Sequence, residues 1–196
     1  MKKPDIIAAL DMVTGCFEKL RIPYYIAGSV ASSAYGLSRT TVDVDLIADI
    51  KIHQVDHLVK ALKKDYYIDA DMITKAINGS ASFNLIHLDT MIKIDVFIPK
   101  DQSYDSKALA RCQPDTLDEE SSRMFYLSSP EDVILSKLQW YQKGGQVSQQ
   151  QFKDVLGVLK VQGDKLDLQY LRHWASRLNI SDLLNRSFDD VGIVEK

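Results

Sequence analysis

Only two cysteines, Cys16 and Cys112, stand in this chain of 196 residues. They lie far apart, one of them on an apolar helical stripe, and no pair has zinc-ligand spacing. A disulfide-stapled scaffold and a zinc knuckle are thereby excluded, and the thiols read as the reduced residues of a cytoplasmic protein. Long apolar runs are missing as well: none approaches the roughly 18 residues of a membrane span. The first residues, Met1-Lys2-Lys3-Pro4-Asp5, are basic but lead into no uninterrupted apolar core, so no signal peptide is expected. Basic excess is also absent. Lys and Arg number 24 against 27 Asp and Glu, a net charge of −3 with a pI near 5.8. That argues against strong non-specific binding to nucleic acid, which takes a basic domain, and leaves room only for a local basic patch. No internal repeat and no low-complexity tract is present.

What remains is an ordinary globular composition, 45% hydrophobic and 26% charged. It is enough for one domain, or a compact core with a smaller appendage. Residues 4–20 set Ile6, Leu10, Val13, Phe17 and Leu20 at helical spacing. Arg21-Ile22-Pro23 ends that helix, and Tyr24 to Ala27 reads as a short strand stopping at Gly28. Ser29 then opens a short helix over residues 30–35. Residues 41–48 read as a strand, and residues 51–64 as a helix with Val55, Leu58, Val59 and Leu62 on one face. Residues 82–88 and 91–98 predict two antiparallel strands turning around Asp89-Thr90. The polar stretch 101–122 reads as a loop, and Met124 to Leu127 as a further short strand.

The tail changes character. Ser129-Pro130-Glu131-Asp132 combines a capping hydroxyl, proline at the first helical position and acids suited to the positive end of the helix dipole. Helices are predicted from there to about Gln142, then near residues 148–160, 167–178 and 181–189. The expected architecture is therefore α/β: a mixed β-sheet flanked by helices over residues 1–110, and a mainly helical C-terminal region, 111–196, packed on that core.

Strand alternation carries the functional reading. With a period of two, Arg39, Thr41, Asp43 and Asp45 share one face, while Val42, Val44 and Leu46 share the other. The apolar set must face the core, so both carboxylates point outward together. The same test on residues 91–98 turns Ile92, Ile94, Val96 and Ile98 inward and sets Met91, Lys93, Asp95 and Phe97 opposite. If the two strands are neighbours, about 4.8 Å apart, Asp95 joins the Asp43/Asp45 pair. Three carboxylates there would repel one another unless a cation neutralised them, and an all-oxygen donor set suits Mg²⁺ or Mn²⁺. Two such ions, about 3.5–4 Å apart, can orient an attacking hydroxyl and a leaving group. Gly28 and Ser29, at a strand-to-helix turn, offer backbone amides and a hydroxyl to phosphate. Each piece alone has a bland reading, a turn or a solvated face; their combination is the specific signal.

Gly28-Ser29, Asp43-x-Asp45 and Asp95 resemble the three-part pattern of the DNA polymerase β-like nucleotidyltransferase superfamily. The run Arg39-x-Thr41-x-Asp43-x-Asp45 is similar to the branch of abortive-infection (type IV toxin–antitoxin) nucleotidyltransferases and their uncharacterised relatives. The motifs span residues 28–95, and the Ser129 helix with its tail extends the likeness over most of the chain. The resemblance implies that Asp43, Asp45 and Asp95 are catalytic metal ligands, Asp95 also helping to activate the acceptor. It implies that Gly28, Ser29, Arg39 and Thr41 serve the nucleotide. A hydroxyl then attacks the α-phosphate of a nucleoside triphosphate and pyrophosphate leaves. The acceptor (a tRNA end, a protein or a small molecule such as an antibiotic) is open, as is a partner protein in a toxin–antitoxin setting. Lys137 and Asp154 are further nucleotide-side candidates by the same likeness, with an exposed helical charge as the alternative for each. The toxin branch commonly shows Arg-Asp with a second Asp three residues later; here the run is Lys153-Asp154-Val155-Leu156-Gly157.

Other features carry less. His53 and His57 are four apart on a helix but enclose Gln-Val-Asp, without the glutamate of a zinc protease motif, and lie off the apolar stripe. They are expected at the surface. His87 and His173 have no evident partner, and most of Trp140, Tyr141 and Trp174 are expected in the core. A non-catalytic nucleotide-binding or protein-interaction module is the competing function. A metal-dependent phosphohydrolase is a thinner one, because no histidine accompanies the aspartates.

Overall fold

The computed structural model describes residues 5–37, 43–100, 103–117 and 123–193. Among them the chain runs through α1 (Asp5–Lys19), β1 (Tyr24–Ile26), α2 (Gly28–Tyr35), β2 (Asp43–Ala48), α3 (Val55–Leu62), β3 (Tyr66–Tyr67), α4 (Ala70–Gly79), β4 (Ser82–His87) and β5 (Lys93–Phe97). It continues through α5 (Ser103–Arg111), β6 (Gln113–Thr116), β7 (Met124–Leu127), α6 (Pro130–Lys143), α7 (Gln149–Gln162), α8 (Leu168–Arg177) and α9 (Ser181–Val191). The fold is the mixed α/β type that the pattern predicts. It divides into two compact units, Met1–Ala27 with Thr41–Leu127, and Gly28–Thr40 with Ser128–Lys196.

The first unit is built on a sheet of strand order β3-β4-β5-β2-β1-β7-β6. β2 runs parallel to β5 and β1 parallel to β7; β1 and β2, β4 and β5, β3 and β4, and β6 and β7 pair antiparallel. Val44, Leu46, Ala48, Leu85, Ile94 and Val96 form one row across the central strands and have no solvent exposure. Each such aliphatic side chain larger than alanine contributes about 1.5–3 kcal/mol on burial, which fixes the register because a slip by one residue would expose them all. The stripe of α1 buries Leu10, Val13 and Phe17. Tyr66 on β3 donates its hydroxyl to the Ala9 carbonyl of α1 at 2.6 Å, and burial pushes that phenol well above its ordinary pKa. His87, partnerless in the sequence, is buried, stacks on Tyr66 and hydrogen-bonds Thr90 in the β4–β5 turn.

Two expectations change here. Residues 101–122 read as a loop, yet they contain α5 and β6. α5 buries only Tyr104 and Ala108, one turn apart, too narrow a stripe to stand out from a polar stretch. β6 carries Pro114, which the sheet tolerates because β6 is an edge strand. The helix over residues 51–64 is shorter, a single 3₁₀ turn (Ile52–Gln54) leading into α3, and Val59 is only half-buried.

The second unit consists of helices. α6 packs on α7 and α8, α7 on α9, α8 on α9, and α2 lies against both α6 and α7. Its start at Ser129 is as the motif predicts: the Ser129 hydroxyl accepts from the Asp132 amide, with Pro130 at the first turn. The acids do more than complement the dipole. Asp132, 2% exposed, accepts hydrogen bonds from Ser129 Oγ and Tyr170 Oη, both at 2.7 Å, while Glu131 accepts from the Asp167 amide at 2.9 Å. Asp167 in turn caps α8 through the Tyr170 amide. One four-residue motif therefore starts α6 and clamps α8 to it.

α2 approaches α7 more closely than side chains allow. A methyl group on Gly36 would stand 2.9 Å from the Val158 amide nitrogen, and one on Gly157 3.3 Å from that of Leu37. A Cβ does not approach backbone as closely as 2.9 Å and seldom as closely as 3.3 Å, so a glycine is needed at Gly36 and favoured at Gly157. Gln162 secures the contact by donating to the Tyr35 carbonyl at 2.8 Å.

Candidate functional site

β2 and β5 are neighbours in parallel register, Asp43 opposite Lys93 and Asp45 opposite Asp95. On the other side of β5, Asn84 of β4 stands opposite Asp95. With side chains alternating along each strand, Asp43, Asp45, Lys93, Asp95 and Asn84 lie on one face, the reverse of the buried aliphatic row. Asp43 and Lys93 are exposed, and Asp45, Asp95 and Asn84 are half-buried. Along the same strands the face ends in the half-buried pair Ile47 and Phe97. The surface therefore grades from a charged, open end to an apolar one, within four residues of each strand.

Lys93 lies at the open end of this acidic surface, opposite Asp43. Its Nζ stands 2.9 Å from Asp95 Oδ2, with the lysine side chain 46% and the aspartate 26% exposed. The hydrogen bond that it donates to Asp95 raises the ammonium's pKa most, followed by the charge of Asp95 and then those of Asp43 and Asp45. All three carboxylates act on one cation. Alternation had set Lys93 on this face but gave it no role; Asn84 is reached by applying the same alternation to residues 82–88.

The donor set suits a hard divalent ion, being all oxygen and carried on rigid strands. Among the described residues, however, no group of three or more His, Cys, Asp or Glu side chains converges closely enough to hold a metal ion. The backbone brings the three aspartates to one patch, and the ammonium of Lys93 is what gathers there. Such an arrangement fits an ion that takes the rest of its ligands from water or from a substrate's phosphates.

The remaining candidates belong to the second unit or fall outside the described residues. Gly28 opens α2 with φ +59°, a left-handed conformation suited to glycine, and Ser29 follows within the first turn. Arg39 and Thr41 lie outside the described residues. Lys137 and Asp154 are not exposed helical charges. Their side chains are 3% and 7% exposed and form an ion pair of 2.7 Å between α6 and α7. Gln151 accepts from Lys137 at 3.2 Å and Gln150 donates to Asp154 at 2.7 Å. With that many partners, the pair has the character of a structural link between two helices.

The discounted features fall mostly as expected. His53 and His57 are exposed. Tyr141 and Trp174 are buried, but Trp140 is 51% exposed and carries the Lys143 ammonium over its ring. Cys16 is buried and Cys112 half-buried, and neither is in a disulfide. A cavity of about 440 Å³ lies elsewhere in the first unit, between Arg21, Tyr24, Leu109, Cys112 and Tyr126, and contains none of the aspartates above. Among the described residues, no helix is long and apolar enough to cross a membrane.

No protein-family model matches the chain, and no curated protein matches it either. Solved structures do. The solution structure of the antibiotic-resistance factor ANT(2'')-Ia superposes with a TM-score of 0.57 at 15% identity, covering 92% of this chain and 95% of that one. The crystal structure of ANT(2'')-Ia in complex with adenylyl-2''-tobramycin gives 0.60 at 13% identity, covering 89% and 99%. An antigenic nucleotidyltransferase-like protein from Paracoccidioides brasiliensis gives 0.56 at 17%, covering 94% and 92%. At such identities the likeness is one of fold: this chain has a nucleotidyltransferase fold over nearly its whole length.

Proposed function

We propose that the chain is a metal-dependent nucleotidyltransferase. The observation that carries this reading is the parallel register of β2 and β5, which sets Asp95 beside Asp45 on the face that Asp43 shares, in a fold of the nucleotidyltransferase kind. Asp43, Asp45 and Asp95 would hold Mg²⁺ or Mn²⁺, which supplies charge neutralisation at the triphosphate and a lowered pKa for a bound hydroxyl. The strands orient the three carboxylates. Asp95, on the second strand, takes the proton of the acceptor hydroxyl. The acceptor oxygen forms a bond to the α-phosphorus, the α–β phosphoanhydride bond breaks, and its electron pair leaves with pyrophosphate. Gly28, Ser29, Arg39, Thr41, Lys137 and Asp154 stay nucleotide-side candidates on their sequence signature.

A small-molecule hydroxyl is the acceptor class we favour over the toxin-type context. The toxin-type pattern places a second acid where this chain has Gly157, and a side chain there would stand in tight contact with Leu37, its Cβ 3.3 Å from the Leu37 amide nitrogen. The structure of ANT(2'')-Ia holds an adenylylated aminoglycoside, and an acidic patch suits a cationic acceptor of that kind. The net charge of −3 disfavours a polyanionic one.

The test is to incubate the protein with each labelled nucleoside triphosphate, Mg²⁺ or Mn²⁺, and three acceptor sets: aminoglycosides and other polyhydroxylated small molecules, total RNA, and lysate protein. Label should appear on a small molecule and vanish in Asp43→Asn, which should stay folded. Label on RNA or protein would replace the acceptor assignment. Nucleotide binding without transfer, unchanged by Asp43→Asn, would instead establish the non-catalytic module.

A further inference from the structure

We propose that Lys93 is the built-in counter-ion of the acidic face, holding Asp95 while no divalent ion is bound and yielding it when one arrives. The inference rests on the reading of Asp43, Asp45 and Asp95 as metal ligands and goes beyond it.

Three negative charges on two strands about 4.8 Å apart repel one another by an amount on the order of 1 kcal/mol per close pair even in water. The fold offsets this from within. Lys93 stands opposite Asp43 in the β2–β5 register and two residues before Asp95 on its own strand, so its side chain starts beside one acid and in line with the other. Its ammonium takes one carboxylate oxygen of Asp95 at 2.9 Å. A divalent ion on Asp95 would set a second, larger positive charge against the ammonium on one carboxylate, so its arrival weakens the lysine's hold.

The side chain is suited to leaving. It is half-exposed, sits on a flexible four-carbon stem, and makes one point contact. An arginine in its place would grip the carboxylate with two parallel hydrogen bonds and release it less readily. The contrast with Lys137 is direct: that lysine is 3% exposed and bound by both Asp154 and Gln151. Lys93 is also confined to the sheet face, so after release its charge stays within reach of the same three acids. The counter-ion is therefore reversible, and its cost falls on metal affinity alone.

The experiment measures Mn²⁺ binding by the EPR signal of the free ion, in the absence of nucleotide, for the wild type, Lys93→Met, Lys93→Gln, Lys93→Arg and Asp43→Asn. Removing the ammonium should tighten Mn²⁺ binding roughly two- to fivefold, the size of a half-exposed ion pair, in both neutral variants, while Lys93→Arg should weaken it. The metal-free melting temperature of Lys93→Met should fall and be restored by Mn²⁺. Wild-type binding that depends on Asp43 but is unchanged or weakened in Lys93→Met and Lys93→Gln would overturn the counter-ion role and leave the metal site standing. Mn²⁺ binding that is absent, or indifferent to Asp43→Asn, would overturn the metal reading and the counter-ion role with it.

Discussion

The chain contains two sets of charged residues that look alike in sequence and are treated in opposite ways. On the sheet face of the first unit, Asp43, Asp45, Lys93 and Asp95 are exposed or half-buried, and the ion pair of Lys93 with Asp95 is solvent-accessible. In the helices of the second unit, Lys137, Asp154 and Asp132 are nearly or wholly withdrawn from water, and each has two or more partners. Burial without pairing is costly, so buried charges must be saturated, whereas charges kept at the surface stay within reach of a ligand. Burial, more than the residue type, separates the charges that hold the second unit together from those open to a ligand.

This contrast can be broken at several points. The largest effect is expected at Lys137. Lys137→Met leaves a buried carboxylate uncompensated and should cost about 3–5 kcal/mol, read as a melting temperature lower by roughly 10 °C. Lys137→Met combined with Asp154→Leu should recover most of the loss, because an apolar pair needs no saturation. If the double variant melts as low as the single one, the pair is more than a link between α6 and α7. If it folds normally yet no longer binds nucleotide, Lys137 has a second role at the substrate.

Gly36→Ala comes next. The added methyl would meet backbone of α7 at 2.9 Å, so a loss of about 1–3 kcal/mol is expected in chemical denaturation, the usual cost of overpacking. No measurable change would mean that α2 can move away from α7. Ser129→Ala should cost about 1 kcal/mol, the value of a helix cap, somewhat more because Asp132 also loses a donor. Asp43→Asn should change stability least, by less than about 0.5 kcal/mol in either direction, although it is expected to abolish transfer. A strongly destabilised Asp43→Asn protein would move that aspartate to the structural side of the comparison.

Much of this was legible in the chain. The outward set Asp43, Asp45, Asp95 and the inward set Val44, Leu46, Ile94, Val96 follow from alternation, since a half-buried strand must separate charge from hydrocarbon. The Ser129 cap is local chemistry and needs no tertiary information. The parallel pairing of β2 with β5 is different: nothing in either strand names its neighbour, and the sequence could state it only as a condition. Residues 66–79, which form β3 and α4, carry no sequence assignment because a two-residue strand and a helix with only Ile73 and Ala76 buried leave no period to detect. The burial of Lys137 and Asp154 was also invisible. A charge that finds its partner seventeen residues away on another helix looks the same in sequence as one that faces water.

The interruption of the first unit by α2 has a consequence for synthesis. α2 leaves the ribosome well before the helices it packs against, α6 and α7, which lie beyond residue 128. At about 5–20 residues per second, α2 waits on the order of 5–20 s for its partners. Until α7 emerges, Gly36 has nothing to pack against, and a nascent chain stalled before that point holds an apolar helix with no place to dock. The glycine contact that lets α2 and α7 approach so closely in the finished protein thus also sets when the second unit can close: only once α7 has been made.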